Sequence, residues 1–419
     1  MLNEYLQLLH IYINGYINKL PLSYQKSFSS PKLIDRIWEV FSFIGQQIIV
    51  LFQQSKSSKL IPRGSTWFFV NSKNSLHSIK PLQKLIENSY FLLPNYASHI
   101  ELISDNKIIL PVKSQLKYIP KVFGVLISIF FIRPRVAIRY FDIIIKSAGL
   151  IEIYSKLLQH SRPKAIIFTN DHILFARSLK IAAHKAGIKT IYVQHASVTR
   201  FFPPLDFTLS LLYGEVSYNI YRKIGAVKGR VETIGMPSFD SSVLNINKNS
   251  KIRTIGICTN LLDDFEKVEY VIKEICRAFP ELDIILRSHP RETRMFFSDS
   301  SFSVSDARKE SIFSYLKSID LLIAGETSTH LEAVMLNICS IYFNFTQDGK
   351  RNDYYGYLES KLVPEADCLS ELLSLIQTYM LAKPDVRLNA QPYNSTIGTI
   401  FEGRSTELAA DYITELLAQ

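Results

Sequence analysis

Two short stretches of this 419-residue chain carry residue types that bind anions. The first is RSHPRE, Arg287 to Glu292, which follows the apolar run LDIIL. An imidazole donates a hydrogen bond to a phosphate oxygen, most strongly when protonated, and arginines add forked positive donors. A proline after the histidine restrains the backbone that aims it. His289 is thus the aimed donor, Pro290 the device that aims it, and Arg287 and Arg291 the flanking charge. The second stretch is GETSTH, Gly325 to His330, after DLLIA. Glu326, Thr327, Ser328 and Thr329 fill the gap before LEAVML, whose spacing predicts a helix. Hydroxyls and free N–H groups at a helix start suit a phosphate, and Glu332 one early turn further on suits ribose hydroxyls. Each residue also has a plain structural use as a helix cap or a solvated side chain. The weight therefore rests on two adjacent strand ends presenting the same chemistry.

Group transfer to a hydroxyl needs a base for the proton of the attacking oxygen. Asp171 in FTNDH is the best carboxylate and His195 in YVQHA the best imidazole, with His172 a third choice. Asp171 serves equally well as a helix N-cap, and His195 as a backbone hydrogen-bond partner. Asn71 and Asn74, in a polar loop after STWFFV, and Arg200 are candidate contacts for acceptor hydroxyls. The DDFE run at Asp263 to Glu266 reads as the solvated first turn of a helix, where acids favour the dipole, rather than as a metal site. With no DxD triplet either, no metal or other cofactor is expected.

These residues need a scaffold that brings strand ends together. AIIF, a capped helix stopped by Gly187, and IKTIYV form a βαβ unit, and further strands begin at Asp206 and Val231. From Lys251 a second alternating set follows: KIRTIGIC, FEKVEYVIKEICRAF, LDIILR, SIFSYLKSI, DLLIA, the LEAVML helix and CSIYFNF. Strands alternating with helices imply parallel sheets with right-handed crossovers. The expected fold is α/β, two facing Rossmann-like domains with a helical N-terminal extension and ligands at the strands' carboxyl ends. The expected limits are residues 1–60 for the extension, 61–245 for an acceptor domain and 246–405 for a nucleotide-donor domain. GMPSFDSSVLNINKNSK from Gly235 reads as the linker, and a terminal helix over 406–419 closes either half.

Composition narrows the partners. The chain is 47% hydrophobic and 21% charged, ordinary for a globular protein of two domains, and its formal charge of +10 favours anionic partners. Basic and aromatic residues are spread without a nucleic-acid-binding module, so no nucleic acid is expected. Four cysteines with no CxxC spacing and no signal-peptide pattern predict the cytoplasm. No run reaches the roughly 20 apolar residues of a bilayer span. VFGVLISIFFI at Val122 to Ile132, bracketed by Lys117, Lys121, Arg133, Arg135 and Arg139, suits either a buried helix or peripheral contact with the inner face of an anionic membrane.

Taken together, His-Pro after one strand, a Ser/Thr cluster before a helix with Glu-Ala after the next, the YVQHA strand end and the GMP turn resemble bacterial GT-B glycosyltransferases of surface-polysaccharide assembly. That group makes capsule and lipopolysaccharide and includes polysialyltransferase-like, Kdo-transferase-like and CDP-glycerol-transferase-like enzymes. The resemblance spans about residues 160 to 345. It implies that His289 and the Thr327 to Thr329 loop hold a donor nucleotide, with Glu332 near its ribose. It implies transfer from a nucleotide-sugar, with a CMP-linked acidic sugar favoured, to a glycan or lipid-linked glycan without a metal. Two other readings remain: a non-hydrolysing nucleotide-sugar epimerase, which shares two such domains, and a non-catalytic scaffold in polysaccharide assembly.

Overall fold

The computed structural model describes residues 2–14, 17, 25, 28–52, 62–100, 106–110, 113–170, 172–198, 200, 202–292, 294, 302–347, 349 and 353–419. The chain forms two compact units, one of residues 1–212, 217–233 and 406–419 and one of residues 213–216 and 234–405. Each is built on its own parallel sheet.

The first sheet has seven strands: β1 (Thr66–Phe69), β2 (Ser89–Leu93), β3 (Lys107–Ile109), β4 (Ala165–Phe168), β5 (Lys189–Val193), β6 (Asp206–Leu212) and β7 (Lys228–Thr233). Their order is β3-β2-β1-β4-β5-β6-β7. The central pair β1 and β4, TWFF and AIIF, is buried at every position. Helices cover both faces of a parallel sheet, so its inner strands read as unbroken apolar runs rather than alternating ones.

The described helices of this unit include α1 (Leu2–Leu8), α2 (His10–Ile13), α3 (Leu33–Phe52), α4 (Lys73–Leu85), α5 (Ile119–Ile132), α6 (Pro134–Lys146), α7 (Leu150–Ser161), α8 (Leu174–Lys185) and, from Ser217 onward, α9 (Glu215–Ile224). Gly187, at φ +67°, takes the left-handed turn that ends α8. The first helices are not a separate extension. Tyr5, Leu8, Leu9, Ile11 and Tyr12 share one apolar cluster with Val122, Val125 and Ile129 of α5 and Ile181 of α8. Arg177 Nε donates to the Gln7 carbonyl at 2.7 Å, and Lys185 meets Glu4 at 2.8 Å. An amphipathic helix needs something to bury its apolar stripe against, and the nearest apolar surface is this unit's own.

The second sheet has six strands: β8 (Thr254–Cys258), β9 (Asp283–Arg287), β10 (Ser303–Ser305), β11 (Leu321–Ala324), β12 (Cys339–Phe343) and β13 (Glu365–Ala366), in the order β10-β9-β8-β11-β12-β13. Helices α10 (Phe265–Ala278), α11 (Ile312–Leu316), α12 (Thr329–Met335) and α13 (Leu369–Leu381) accompany it. Apolar clusters cover each face. The GMPSFD segment, read from sequence as a linker, belongs to this unit. Phe239 is buried against Phe313 at a centroid distance of 6.1 Å, and Met236 N–H donates to Asn394 Oδ1 at 3.2 Å. Gly235, at φ +75°, sits so close to Asn394, Thr396 and Ser405 that a Cβ there would collide with all three. The unit boundary therefore falls at residue 233 rather than 245.

The last helix, α14 (Ser405–Ala418), belongs from Thr406 onward to the first unit. Arg230 of β7 holds Glu415 at 2.8 Å and lies 5.1 Å over the Tyr412 ring, and Lys189 donates to the Leu416 carbonyl at 2.8 Å. The open alternative in the sequence is thus settled by the edge of the first sheet.

Candidate functional site

Both sheets reverse strand order once, between β1 and β4 and between β8 and β11. Loops leaving such a pair turn to opposite sides and open a crevice at the strands' carboxyl ends, the usual ligand position in doubly wound sheets.

In the second unit three loops converge there. Thr259 N–H, after β8, donates to the Arg287 carbonyl at the end of β9 at 3.0 Å. Asn260 Nδ2 reaches the Glu326 carbonyl after β11 at 3.4 Å. Arg294 Nη1 donates to the Asp263 carbonyl at 3.3 Å and stacks 3.9 Å over Phe265. RSHPRE and GETSTH are therefore joined through a third loop, Thr259 to Asp263.

Within RSHPRE the roles differ from the sequence expectation. Arg287 is buried and its guanidinium is committed to protein partners, with Nη1 on Ser305 Oγ and Nη2 on the Glu310 carbonyl, both at 2.7 Å, and the group lying over the Tyr315 ring. Its register opposite Ser305 in β10 directs it there. It acts on the site through its field, drawing down the pKa of Glu332. His289, half-buried, accepts the Arg291 N–H at Nδ1 at 3.1 Å. Its ring proton then resides on Nε2, which is the donor. Burial and the Arg291 charge lower its pKa, so the imidazole is neutral at neutral pH rather than cationic. Pro290 and Arg291 are exposed.

The loop after β11 is held from beneath. His330, buried, bonds the Gly325 carbonyl through Nε2 at 2.9 Å and Ser340 Oγ through Nδ1 at 2.7 Å, and it stacks on Tyr342. Desolvation pushes its pKa down to about 4, so it is a neutral prop. Above it Thr327 and Thr329 share a hydroxyl contact at 3.1 Å, while Ser328, at the N-cap, makes no side-chain cap bond. Glu332 lies one turn along α12, its pKa raised by burial to about 7 despite Arg287.

Three buried oxygens here have no hydrogen-bond partner among the described residues: Thr259 Oγ1, Asp263 Oδ1 and Glu326 Oε2. Buried polar atoms are nearly always paired, so these await a solvent or ligand partner. Carboxylate oxygens accept, and a ligand rich in hydroxyl or amino groups matches them. Asp263 corrects the expectation of a solvated first turn. It is 2% exposed, with Oδ2 on the Asn260 N–H at 2.8 Å and its pKa raised to about 6 by burial, while neighbouring Asp264 caps α10. Thr259, Asn260 and Asp263 were missed from sequence. The available signal was Thr-Asn directly after an apolar run, which also ends β4 as Thr169-Asn170.

The first unit repeats this pattern. Asn71 Oδ1, after β1, and Thr169 Oγ1, after β4, are buried without a partner among the described residues. Asn170 Oδ1 accepts the N–H groups of His172 and Ile173, both at 3.0 Å, so the turn before α8 is closed by Asn170. Asp171 lies outside the described residues. His172 stacks on Phe202 at 4.7 Å, and Asn170 Nδ2 faces its Nε2 at 3.3 Å. His195, half-buried, follows Gln194 at the end of β5, and Arg200 is exposed. Asn74 lies in the first turn of α4; its side chain is outside the described set. Ser72 and Ser75 form a capping box that fixes the loop carrying Asn71. No cluster of three His, Cys, Asp or Glu side chains placed to hold a metal occurs among the described residues.

No family model and no curated protein matches the chain. Solved structures do. A UDP-GlcNAc 2-epimerase from Neisseria meningitidis aligns over 84% of this chain and 100% of its own with a TM-score of 0.54 at 10% identity. The wall teichoic acid polymerase TagF aligns over 92% and 98% with a TM-score of 0.50 at 12% identity. The calicheamicin glycosyltransferase aligns over 85% and 99% with a TM-score of 0.51 at 8% identity. The fold is GT-B-like. Identities this low establish architecture alone, and function has to come from the site.

Proposed function

We propose that this chain is a glycosyltransferase that moves a sugar from a nucleotide-sugar to a surface-glycan acceptor. The observation that carries this reading is the set of unpartnered oxygens of Thr259, Asp263 and Glu326 at the strand reversal, beside an imidazole presenting Nε2–H. His289 and the hydroxyls of Thr327 and Ser328 serve as phosphate donors. Asp263, Glu326 and Glu332 accept from ribose or sugar hydroxyls. In the first unit His195 or Asp171 takes the acceptor proton, and Asn71, His172 and Arg200 contact acceptor hydroxyls. The epimerase is bound to UDP-GlcNAc and TagF was soaked with CDPG, which favours a nucleotide-linked donor here also. A CMP-linked acidic sugar remains our first choice of donor, on the His-Pro and Ser/Thr pair.

The apolar surface of the first unit supports contact with an anionic membrane. No described helix is long and apolar enough to cross one. In α5, Val122, Val125 and Ile129 are buried while Phe123, Ile127, Phe130 and Phe131 are exposed, so one face packs on the unit and the other offers an apolar surface suited to such contact.

The test is thermal-shift screening with CMP, CDP, UDP and GDP, then mass analysis of the matching nucleotide-sugar with and without a glycan acceptor. Nucleotide released only with acceptor supports transfer. An isomerised nucleotide-sugar supports the epimerase reading. A protein that no nucleotide stabilises, with His289→Ala unchanged, is a scaffold.

A further inference from the structure

Helix α3 sorts its residues in reverse. Its buried residues are Arg36 and Gln47, whereas Ile34, Trp38, Phe41, Ile48, Ile49 and Phe52 are among its exposed ones. Positions 34, 38, 41, 48 and 52 follow helical spacing along one stripe of a 20-residue helix, about 30 Å long. Arg36 is turned inward onto the carbonyls of Ile138 and Arg139, and Gln47 onto the Gln115 N–H. An apolar stripe this long facing outward is what a helix resting in a membrane interface presents.

The other side of α3 walls a cavity of about 580 Å³, within the range of small-molecule sites. Its apolar lining includes Phe43, Tyr96, Tyr154, Leu157, Leu174 and Phe175. Tyr96 and Phe175 form a ring pair 4.9 Å apart. Glu39 and Lys146, paired with each other, and exposed Lys113 supply its charged margin. The location follows from the sheet. Pro94 and Leu110 directly follow β2 and β3, and Leu174 opens α8 just after His172. All strands being parallel, the cavity lies on the same edge as Asn71 and Thr169.

We propose that this cavity binds the hydrocarbon chain of a lipid-linked acceptor, drawn from a membrane on which the outer face of α3 rests. The chain lies along the aromatic and aliphatic lining, Lys113 meets an anionic linkage at the margin, and the sugar end is directed toward Thr169 and His172. The assignment of the chain to an acceptor rests on the glycosyltransferase reading; the hydrocarbon specificity of the cavity does not.

The experiment uses the full chain with Ser42→Trp and Leu157→Trp, which fill the cavity and touch none of the proposed catalytic or nucleotide-binding residues. Binding of dansyl-labelled undecanoic acid is followed by fluorescence. Transfer is compared on one acceptor sugar bearing an undecyl or a methyl aglycone. Folding is checked by the nucleotide thermal shift, which should equal that of the unmodified chain. We expect each variant to weaken probe binding about ten-fold or more and to abolish the KM advantage of the undecyl acceptor. Unchanged probe affinity in both variants, or equal KM for the two acceptors in the unmodified chain, overturns the proposal. If no nucleotide stabilises any form while the probe effect persists, the transferase reading fails and the hydrocarbon site stands.

Discussion

Asp263→Asn tests the electrostatics of the second unit directly. Its carboxyl is held in the fold at a pKa of about 6 against an ordinary value of 3.8, mainly because burial disfavours the charge. The native state therefore keeps its proton over a range where the unfolded chain has lost it. This group's contribution to stability falls as pH rises from about 4 to about 6, and its cost is complete above that. That difference in proton affinity between the folded and unfolded chain corresponds to roughly 3 kcal/mol. Asparagine removes that cost but leaves an amide donor in an unpaired pocket, worth about 1–2 kcal/mol in the other direction. At pH 7.5 the variant should be about 1–2 kcal/mol more stable than the parent in β8 and β11, and at pH 4 less stable by a similar amount. Both tryptophans, Trp38 and Trp67, lie in the first unit, so hydrogen exchange of peptides from β8 and β11 is the suitable measure. The difference between variant and parent isolates Asp263 from Glu332, whose raised pKa acts in an overlapping window. A difference that is the same at both pH values would refute the reasoning. Binding adds a second readout. A hydroxyl donating to Oδ1 favours the ionised form, so nucleotide-sugar binding near pH 6 should release a proton, detectable by calorimetry in buffers of different ionisation enthalpy.

Four further outcomes are expected. His289→Ala should abolish most nucleotide-induced thermal stabilisation without lowering the melting temperature of the free protein, since the side-chain bond it loses among the described residues is the Arg291 turn contact. His330→Ala should cost about 2–4 kcal/mol, because a cavity forms and the Gly325 carbonyl and Ser340 hydroxyl lose their partner; denaturant unfolding measures it. His330 itself, with its pKa lowered to about 4, withdraws stability as pH falls from about 6.5 toward 4, so the parent's acid sensitivity should shrink in that variant. Trp38→Asp combined with Phe41→Asp should reduce co-sedimentation with vesicles of anionic phosphatidylglycerol while leaving the nucleotide thermal shift unchanged.

What was legible in the sequence was whatever depends on local pattern. The apolar runs TWFF, AIIF and DLLIA, the glycine that stops α8 and the alternation of strands with helices suffice for two parallel sheets, because a buried strand must be apolar on both faces. The short strands β3, β10 and β13 carry two or three residues each, too few for a period to show. At RSHPRE and GETSTH the donor types were visible as residue identities, but not the partners that each side chain meets.

The tertiary structure decided which way those groups turn and what environment they meet. Arg287 looks from sequence like a phosphate ligand, but its place opposite Ser305 commits its guanidinium to Ser305 and Glu310. Asp263 looks like a solvated helix start, but packing beneath Gly325 buries it and raises its pKa to about 6. The helical reading of residues 1–60 does not say which side of α3 packs inward, and in the structure Arg36 meets the carbonyls of Ile138 and Arg139 while the apolar stripe stays outside. In each case the deciding partner lies far along the chain, and hydrogen-bond satisfaction and desolvation are properties of that partner's position rather than of the residue itself.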